Sequence, residues 1–258
     1  MRIITANVNG IRAAAKKGFF EWMLEQNADA VCIQETKAQQ EQLSDPIFHP
    51  PGYHRYFLDA EKKGYSGVAL YLREFPENII TTIGWELADK EARYIQADYP
   101  NLSIVSLYLP SGTSSPERQS VKFDFLDRFM PHLIQLKNSG REFILCGDWN
   151  IAHTKNDLKN WRGNQKNSGF LPEERAWMDH LFGPAGFVDA FRVLNQESDQ
   201  YTWWSHRGQA WAKNVGWRID YQVITPGLKH KIKKVAIYKD QRFSDHAPLI
   251  IDYDLSKS

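Results

Sequence analysis

Apolar positions along this chain gather into short blocks. Residues 2–6, 30–34, 67–72, 93–99, 103–109, 142–146, 218–225 and 248–253 are rich in aliphatic and aromatic side chains, and runs of this length predict buried or half-buried strands. Between them lie stretches of helical period. The clearest is 116–137, where Val121, Phe125, Leu126, Phe129, Leu133 and Leu136 form one apolar stripe. Ser115 offers a cap, Pro116 suits the first turn, and Gly140 stands just past the end. Two further helices are predicted, at 18–26 and at 172–182; the latter opens on Pro172-Glu173-Glu174, whose acids suit the positive end of a helix, and closes at Gly183. Strands with helices interspersed at mixed spacing argue for a layered α/β or α+β fold. No Pro/Ser/Gly-rich stretch divides the chain, so one domain is expected over residues 1–258. Segments 3–7 and 144–150 both run from an apolar strand to an asparagine near a small-residue turn. They read either as an internal duplication or as two unrelated strand ends.

Composition narrows the class. With 258 residues, 42% hydrophobic and 24% charged, disordered and fibrous proteins are excluded, and a core burying roughly 70–75% of the unfolded chain's surface needs no disulfide. Cys32 and Cys146 each sit in an apolar run with no second cysteine nearby, which excludes a zinc knuckle or a paired redox motif and fits a reducing compartment. Asn7 and Asn9 interrupt the first apolar run, and no run approaches the ~18 apolar residues of a membrane span. A cytoplasmic, monomeric protein with no membrane partner is expected. The net charge of +1 means that an anionic partner would be met by local patches and not by the global field.

Candidate chemistry sits where the strands end. Asn7 and Asn9, Gln34 and Glu35, Tyr108, Asp148 and Asn150, Asp220, and Ser244-Asp245-His246 all fall at or beside the ends of apolar blocks. One such ending is noise, but six suggest a shared platform of oxygen and imidazole groups, which suits hard divalent cations and phosphate esters. Metal-assisted phosphodiester cleavage is the chemistry this predicts. Each residue also has a plainer use: Glu35 could pair with Lys37, Asp148 and Asn150 could be turn residues, His246 a satisfied core histidine, and Asp220 a lone charge on an edge strand.

Six segments, read in order, carry a resemblance. Residues 6–12 (Ala-Asn-Val-Asn-Gly-Ile-Arg), 34–37 (Gln-Glu-Thr-Lys), 64–67 (Gly-Tyr-Ser-Gly), 147–153 (Gly-Asp-Trp-Asn-Ile-Ala-His), 214–221 (Asn-Val-Gly-Trp-Arg-Ile-Asp-Tyr) and 244–246 (Ser-Asp-His) resemble the signatures of the exonuclease III family of abasic-site (AP) endonucleases, within the endonuclease/exonuclease/phosphatase superfamily. The resemblance implies a four-layered α/β sandwich, with two packed, mostly antiparallel sheets flanked by helices. It implies Glu35 as the main ligand of Mg²⁺, which Mn²⁺ could replace, helped by Asn9 and Asp245. It also implies that Asp148 readies the attacking water, with Asn7 and Asn150 holding the water and a phosphate oxygen. His246, oriented by Asp220, would contact the scissile phosphate, and Tyr108 would meet the developing charge. Several members carry Asp where this chain has Asn9, and relatives carry Asn or Gln near Ser111-Gly112-Thr113.

Three segments suit a polyanion. Residues 155–168 carry Lys155, Lys159, Arg162 and Lys166 with Asn156, Asn160, Asn164 and Asn167 interleaved, a set of phosphate donors too polar for a core. Residues 203–218 combine tryptophans with Arg207, Lys213 and Arg218 and hold no acid, as a distorted duplex needs, although some of these rings serve the core. Residues 229–242 are basic but read equally well as a solvated edge strand. The resemblance places Trp203, Trp217 and Ile219 in an apolar pocket for a flipped-out baseless sugar, with Trp203 where most relatives have Phe. Residues 163–170 resemble the human-type branch more than bacterial exonuclease III. Double-stranded DNA with abasic sites or blocked 3′ ends is the expected substrate, cut 5′ to the lesion to leave a 3′-hydroxyl, with 3′-exonuclease or 3′-phosphodiesterase action secondary. The alternatives are a relative in which 3′-end trimming or 3′-phosphatase activity dominates, a cousin acting on a small phosphoester, and a DNA-binding module that has lost catalysis.

Overall fold

In the computed structural model, which describes residues 1–256, all eight predicted blocks become strands. The first sheet has six: β1 (Arg2–Asn7), β2 (Ala30–Gln34), β3 (His54–Leu58), β4 (Val68–Leu72), β13 (Ile232–Ile237) and β14 (Leu249–Tyr253), in the order β13-β14-β1-β2-β4-β3. The second also has six: β5 (Asn78–Ile80), β6 (Tyr94–Asp98), β7 (Leu102–Tyr108), β8 (Glu142–Asp148), β9 (Val188–Asp189) and β12 (Asp220–Ile224), in the order β5-β6-β7-β8-β12-β9. Each sheet is antiparallel except for one central parallel pair, β1 with β2 and β7 with β8. A small ribbon of β10 (Trp203–Trp204) and β11 (Gly216–Trp217) lies apart.

Alternation of side chains along the strands builds the layers. Ile3, Cys32, Ile104, Ile144, Cys146 and Ile224 point between the sheets and form one shared core. Their neighbours point outward. Ile4, Val31 and Ile33 meet Phe19, Phe20, Trp22 and Met23 of α2 (Phe19–Gln26), which follows the short α1 (Ile11–Lys16). On the far side, Val105, Leu145 and Val223 meet Phe125, Phe129 and Leu133 of α4 (Pro116–Lys137), which follows α3 (Glu86–Lys90), and Met178 and Leu181 of α5 (Pro172–Phe182), which precedes α6 (Ala190–Leu194). Burying each large side chain of α4 contributes roughly 1.5–3 kcal/mol. Its start is fixed as the sequence predicts, with the Ser115 hydroxyl accepting from the Arg118 amide at 3.1 Å. Among the described residues no helix is long and apolar enough to cross a membrane.

Polar pins hold the two sheets together. Gln34 donates to Ser106 at 3.0 Å, and Gln222 donates to the carbonyl of Ile3 at 2.9 Å. Both glutamines are fully buried, so these bonds also discharge an unpairing cost.

The parallel pairs clarify the hint of duplication. Helices α1 and α2 join β1 to β2, and α4 joins β7 to β8, so chain order matches β1 with β7 and β2 with β8. An equivalence of 3–7 with 144–150 would pair β1 with β8, strands that occupy different places, so of the two readings unrelated strand ends fit better. Residues 229–242 hold the edge strand β13, where a bulge leaves both Lys233 and Lys234 exposed.

Candidate active site

Strand register collects the polar endings. Tyr108 stands opposite Asp148 across β7 and β8, and Asp148 opposite Asp220 across β8 and β12. In the other sheet Asn7 stands opposite Gln34, and the chain then turns sharply. Glu35 has φ +52°, Lys37 +50°, Asn9 +44° and Asn150 +52°, left-handed conformations that cost on the order of 1 kcal/mol or more each outside glycine. Such turns re-aim the side chains that follow each strand, and their clustering here marks the functional end of the sandwich.

The carboxylates of Glu35 and Asp148 and the imidazole of His246 offer ligand atoms within 4.8 Å of one another. The Asn7 amide bridges the two acids, donating to each at 2.9 Å. Asp148 also accepts the Asn150 backbone amide at 2.9 Å, while the Asn150 side chain donates to the carbonyl of Leu109 at 2.7 Å. His246 shares a 2.8 Å hydrogen bond with Asp220 through Nδ1, and its Nε2 lies 3.7 Å from Asp148.

Burial and charge tune these groups. Asp148 is pushed up to about 8 by burial and by the nearby charges of Asp220 and Glu35, against the pull of His246. For His246 burial favours the neutral ring, yet Asp220 and Asp148 outweigh it and raise the imidazole to about 10. The geometry suits His246 to donate, with Nδ1 held by Asp220 and Nε2 turned toward Asp148. The Tyr108 phenol lies against Glu35, and burial together with that negative charge raises it well above the usual phenol range.

Asn9 and Asp245 lie beside this cluster and are engaged with each other. Asn9 donates to Asp245 at 3.2 Å and accepts from Lys37 at 2.5 Å; Asp245 also accepts from the Trp203 indole at 3.0 Å. A phenylalanine at 203 could not make that last bond. Lys37 also stands 3.3 Å from Glu35, so the plain pairing and the acidic cluster coexist.

A cleft of about 1230 Å³ opens above. Trp203, Trp217 and Ile219 meet on its wall with the two indoles at 77° and 6.3 Å. Arg207, Asn164, Lys166 and Asn167 line it too. Lys159, Asn160, Arg162 and Lys213 are exposed but stand away from its lining. Lys159 pairs with Asp199 at 2.9 Å, and Arg162 lies 4.6 Å from the ring of Trp161. Arg218, read from the sequence as a cation for DNA, is 1% exposed and faces inward.

Two supporting residues were missed in the sequence. Lys122 and Glu174 form a buried ion pair; Lys122 also donates to the Asn150 carbonyl at 2.7 Å, and Glu174 accepts the Gly169 and Leu171 amides. The signal was present, since Lys122 shares a helical face with Leu126 and Phe129. Ser244 donates to the Asn7 carbonyl at 2.6 Å and accepts the His246 amide at 3.0 Å, tying two site segments together.

Two sheets ending in one polar platform place the chain by class: it belongs to the endonuclease/exonuclease/phosphatase family, whose profile matches residues 4–246. It is 38% identical over 251 residues to an exodeoxyribonuclease of Bacillus subtilis, covering 96% of this chain and 98% of that protein. It is also 38% identical over 254 residues to the DNA repair nuclease APEX1 of Danio rerio, covering 97% and 81% respectively. The solved structure of an AP endonuclease from Archaeoglobus fulgidus is similar with a TM-score of 0.90 at 28% identity, over 99% of this chain and 100% of that one.

Proposed function

We propose that the whole chain forms one catalytic unit, a DNA-repair AP endonuclease that hydrolyses the phosphodiester 5′ to an abasic site and leaves a 3′-hydroxyl. The observation that carries this reading is the placement of Glu35, Asp148 and His246 within 4.8 Å of one another on the floor of a cleft walled by Trp203, Trp217 and Ile219. A reacting phosphate and a sugar without its base would fit side by side there. The relatives named for DNA repair and exodeoxyribonuclease activity support the same substrate class.

The donor set suits a hard cation. Glu35 is the carboxylate that would hold Mg²⁺, with Asp245 and Asn9 close by; once bound, the ion supplies charge neutralisation at the phosphate and a more acidic water. Asp148, in its ionised form, is the group that takes the proton of the attacking water, and Asn7 and Asn150 fix its carboxylate for that role. His246 donates to a phosphate oxygen as an imidazolium, and Asp220 holds its ring. The Tyr108 phenol donates to charge developing beside Glu35. Lys166, Asn164, Asn167 and Arg207 on the cleft wall hold phosphates on either side of the lesion.

A labelled duplex with one abasic analogue, incubated with and without EDTA, tests the reading. Cleavage 5′ to the analogue that EDTA abolishes is expected. Loss of the 3′-terminal nucleotide from a matched duplex at a higher rate would favour the second reading, a 3′-end nuclease; the Bacillus relative is named an exodeoxyribonuclease.

A further inference from the structure

Arg218 sits between two residues of the cleft wall, Trp217 and Ile219, and precedes Asp220, the partner of His246, by two positions. Its guanidinium points away from the cleft into a buried knot of charge. Nε donates to Asp157 at 2.8 Å, and Nη1 and Nη2 donate to the two oxygens of Asp189 at 3.2 and 2.5 Å. Asp157 also accepts from Arg192 at 2.7 Å and from the Thr154 amide at 2.9 Å. The Arg218 backbone amide donates to the Asp157 carbonyl at 2.7 Å. One face of the guanidinium covers the ring of Tyr221 at 4.6 Å. Two guanidinium groups and two carboxylates balance, so no net charge is buried. A planar fork is what spans two separate carboxylates; a lysine would bring the same charge as a single point.

These contacts join three elements. The wall segment 217–219 is fixed through Asp157 to the loop that continues into the basic residues 159–167, and through Asp189 to β9. We propose that Arg218 is the positioning residue that fixes the width of the apolar pocket, and that this buried fork is what lets the pocket reject a nucleotide still carrying its base. Rejection by shape works only if the walls do not yield to the wrong substrate. The proposal rests on the reading of Trp203, Trp217 and Ile219 as the baseless-sugar pocket.

The test compares Arg218→Lys with Ile219→Ala, measuring kcat/KM on an abasic duplex and on a matched 3′ end. Loosened walls should lower the ratio of the two by about tenfold in both variants, the scale set by one methylene of misfit in a fitted pocket. The double variant should fall no further than the larger single effect, since both act on one wall. The salt dependence of DNA affinity should not change in Arg218→Lys or in Arg218→Met. If Ile219→Ala moves the ratio and Arg218→Lys does not, Arg218 is only structural and the proposal is overturned. A salt slope reduced by about one log–log unit in Arg218→Met would make Arg218 a phosphate contact and overturn it equally. If neither variant moves the ratio, the pocket reading itself fails and the proposal with it. Should Arg218→Lys fold poorly, Arg192→Gln, which loosens the same knot from its more exposed side, carries the same comparison.

Discussion

Glu35, Asp148 and Asp220 lie close together, and His246 stands between Asp148 and Asp220, 3.7 Å from the one and 2.8 Å from the other. Because Asp220 helps raise the His246 pKa to about 10, Asp220→Asn should lower it. The imidazolium would then be lost at lower pH, and the alkaline fall of kcat/KM, followed from about pH 7 to about pH 11, should move toward neutrality. An unmoved alkaline limb would remove His246 from the role of phosphate donor. Glu35→Ala and Asp148→Asn should each cut turnover by roughly 10²–10⁴, but for different reasons. Excess Mg²⁺ or Mn²⁺ should recover part of Glu35→Ala and none of Asp148→Asn; equal rescue would show that their roles are not distinct. At this scale the sequence was informative about identity and silent about direction. Every named residue of the cluster could be read from the polar positions that flank the apolar blocks. The left-handed turn that aims Glu35 and the inward face of Arg218 depend on backbone angles and partners distant in sequence, which a local pattern does not encode.

Among the elements, long periodic ones were legible and short or two-faced ones were not. Helices α4 and α5 match their predicted bounds because stripe, opening proline and closing signals agree along each. Helix α1 has six residues and opens on Gly10 without a side-chain cap, so nothing local announces it. Strand β3 is half-buried along its whole length and shows no alternation. The basic loop before α5 divides in a way composition could not reveal. Lys166 lines the cleft, whereas Lys159 is held by Asp199. Lys166→Ala should therefore flatten the log–log salt dependence of DNA binding by about one unit, and Lys159→Ala by much less. Equal effects, measured by titration at several salt concentrations, would mean that the Lys159 pair opens when DNA binds.

Across the whole molecule, the four-layer arrangement was inferable from block lengths and resemblance, but the polar joints holding it were not. The buried knot around Arg218 is one such joint. Burial opposes the charge of Asp157, but Arg218 and Arg192 prevail and hold its carboxyl well below the usual range. A depressed carboxyl contributes stability that is complete above its unfolded value, near pH 4, and is lost as pH falls toward its folded one. Asp157→Asn should thus be less stable at neutral pH by about 3–5 kcal/mol, the cost of leaving a buried partner unpaired. Below about pH 4 the gap between variant and wild type should narrow. Urea unfolding at a series of pH values reads both effects, and a gap independent of pH would show that Asp157 adds packing and no charge.

The place of β1 in the first sheet has one more effect. It lies between β14 and β2, its last residue is Asn7 at the active end, and the Met1 amine donates to the carbonyl of Tyr253 at 2.8 Å. Strand β14 begins three residues after His246 and runs the other way. The two described ends of the chain are thus stitched together at the foot of the sandwich, about 20 Å of strand from the catalytic cluster. A tether attached at Met1, whether a tag, a surface anchor or a processivity module, would leave from the side opposite the cleft and hold the enzyme with its mouth turned outward.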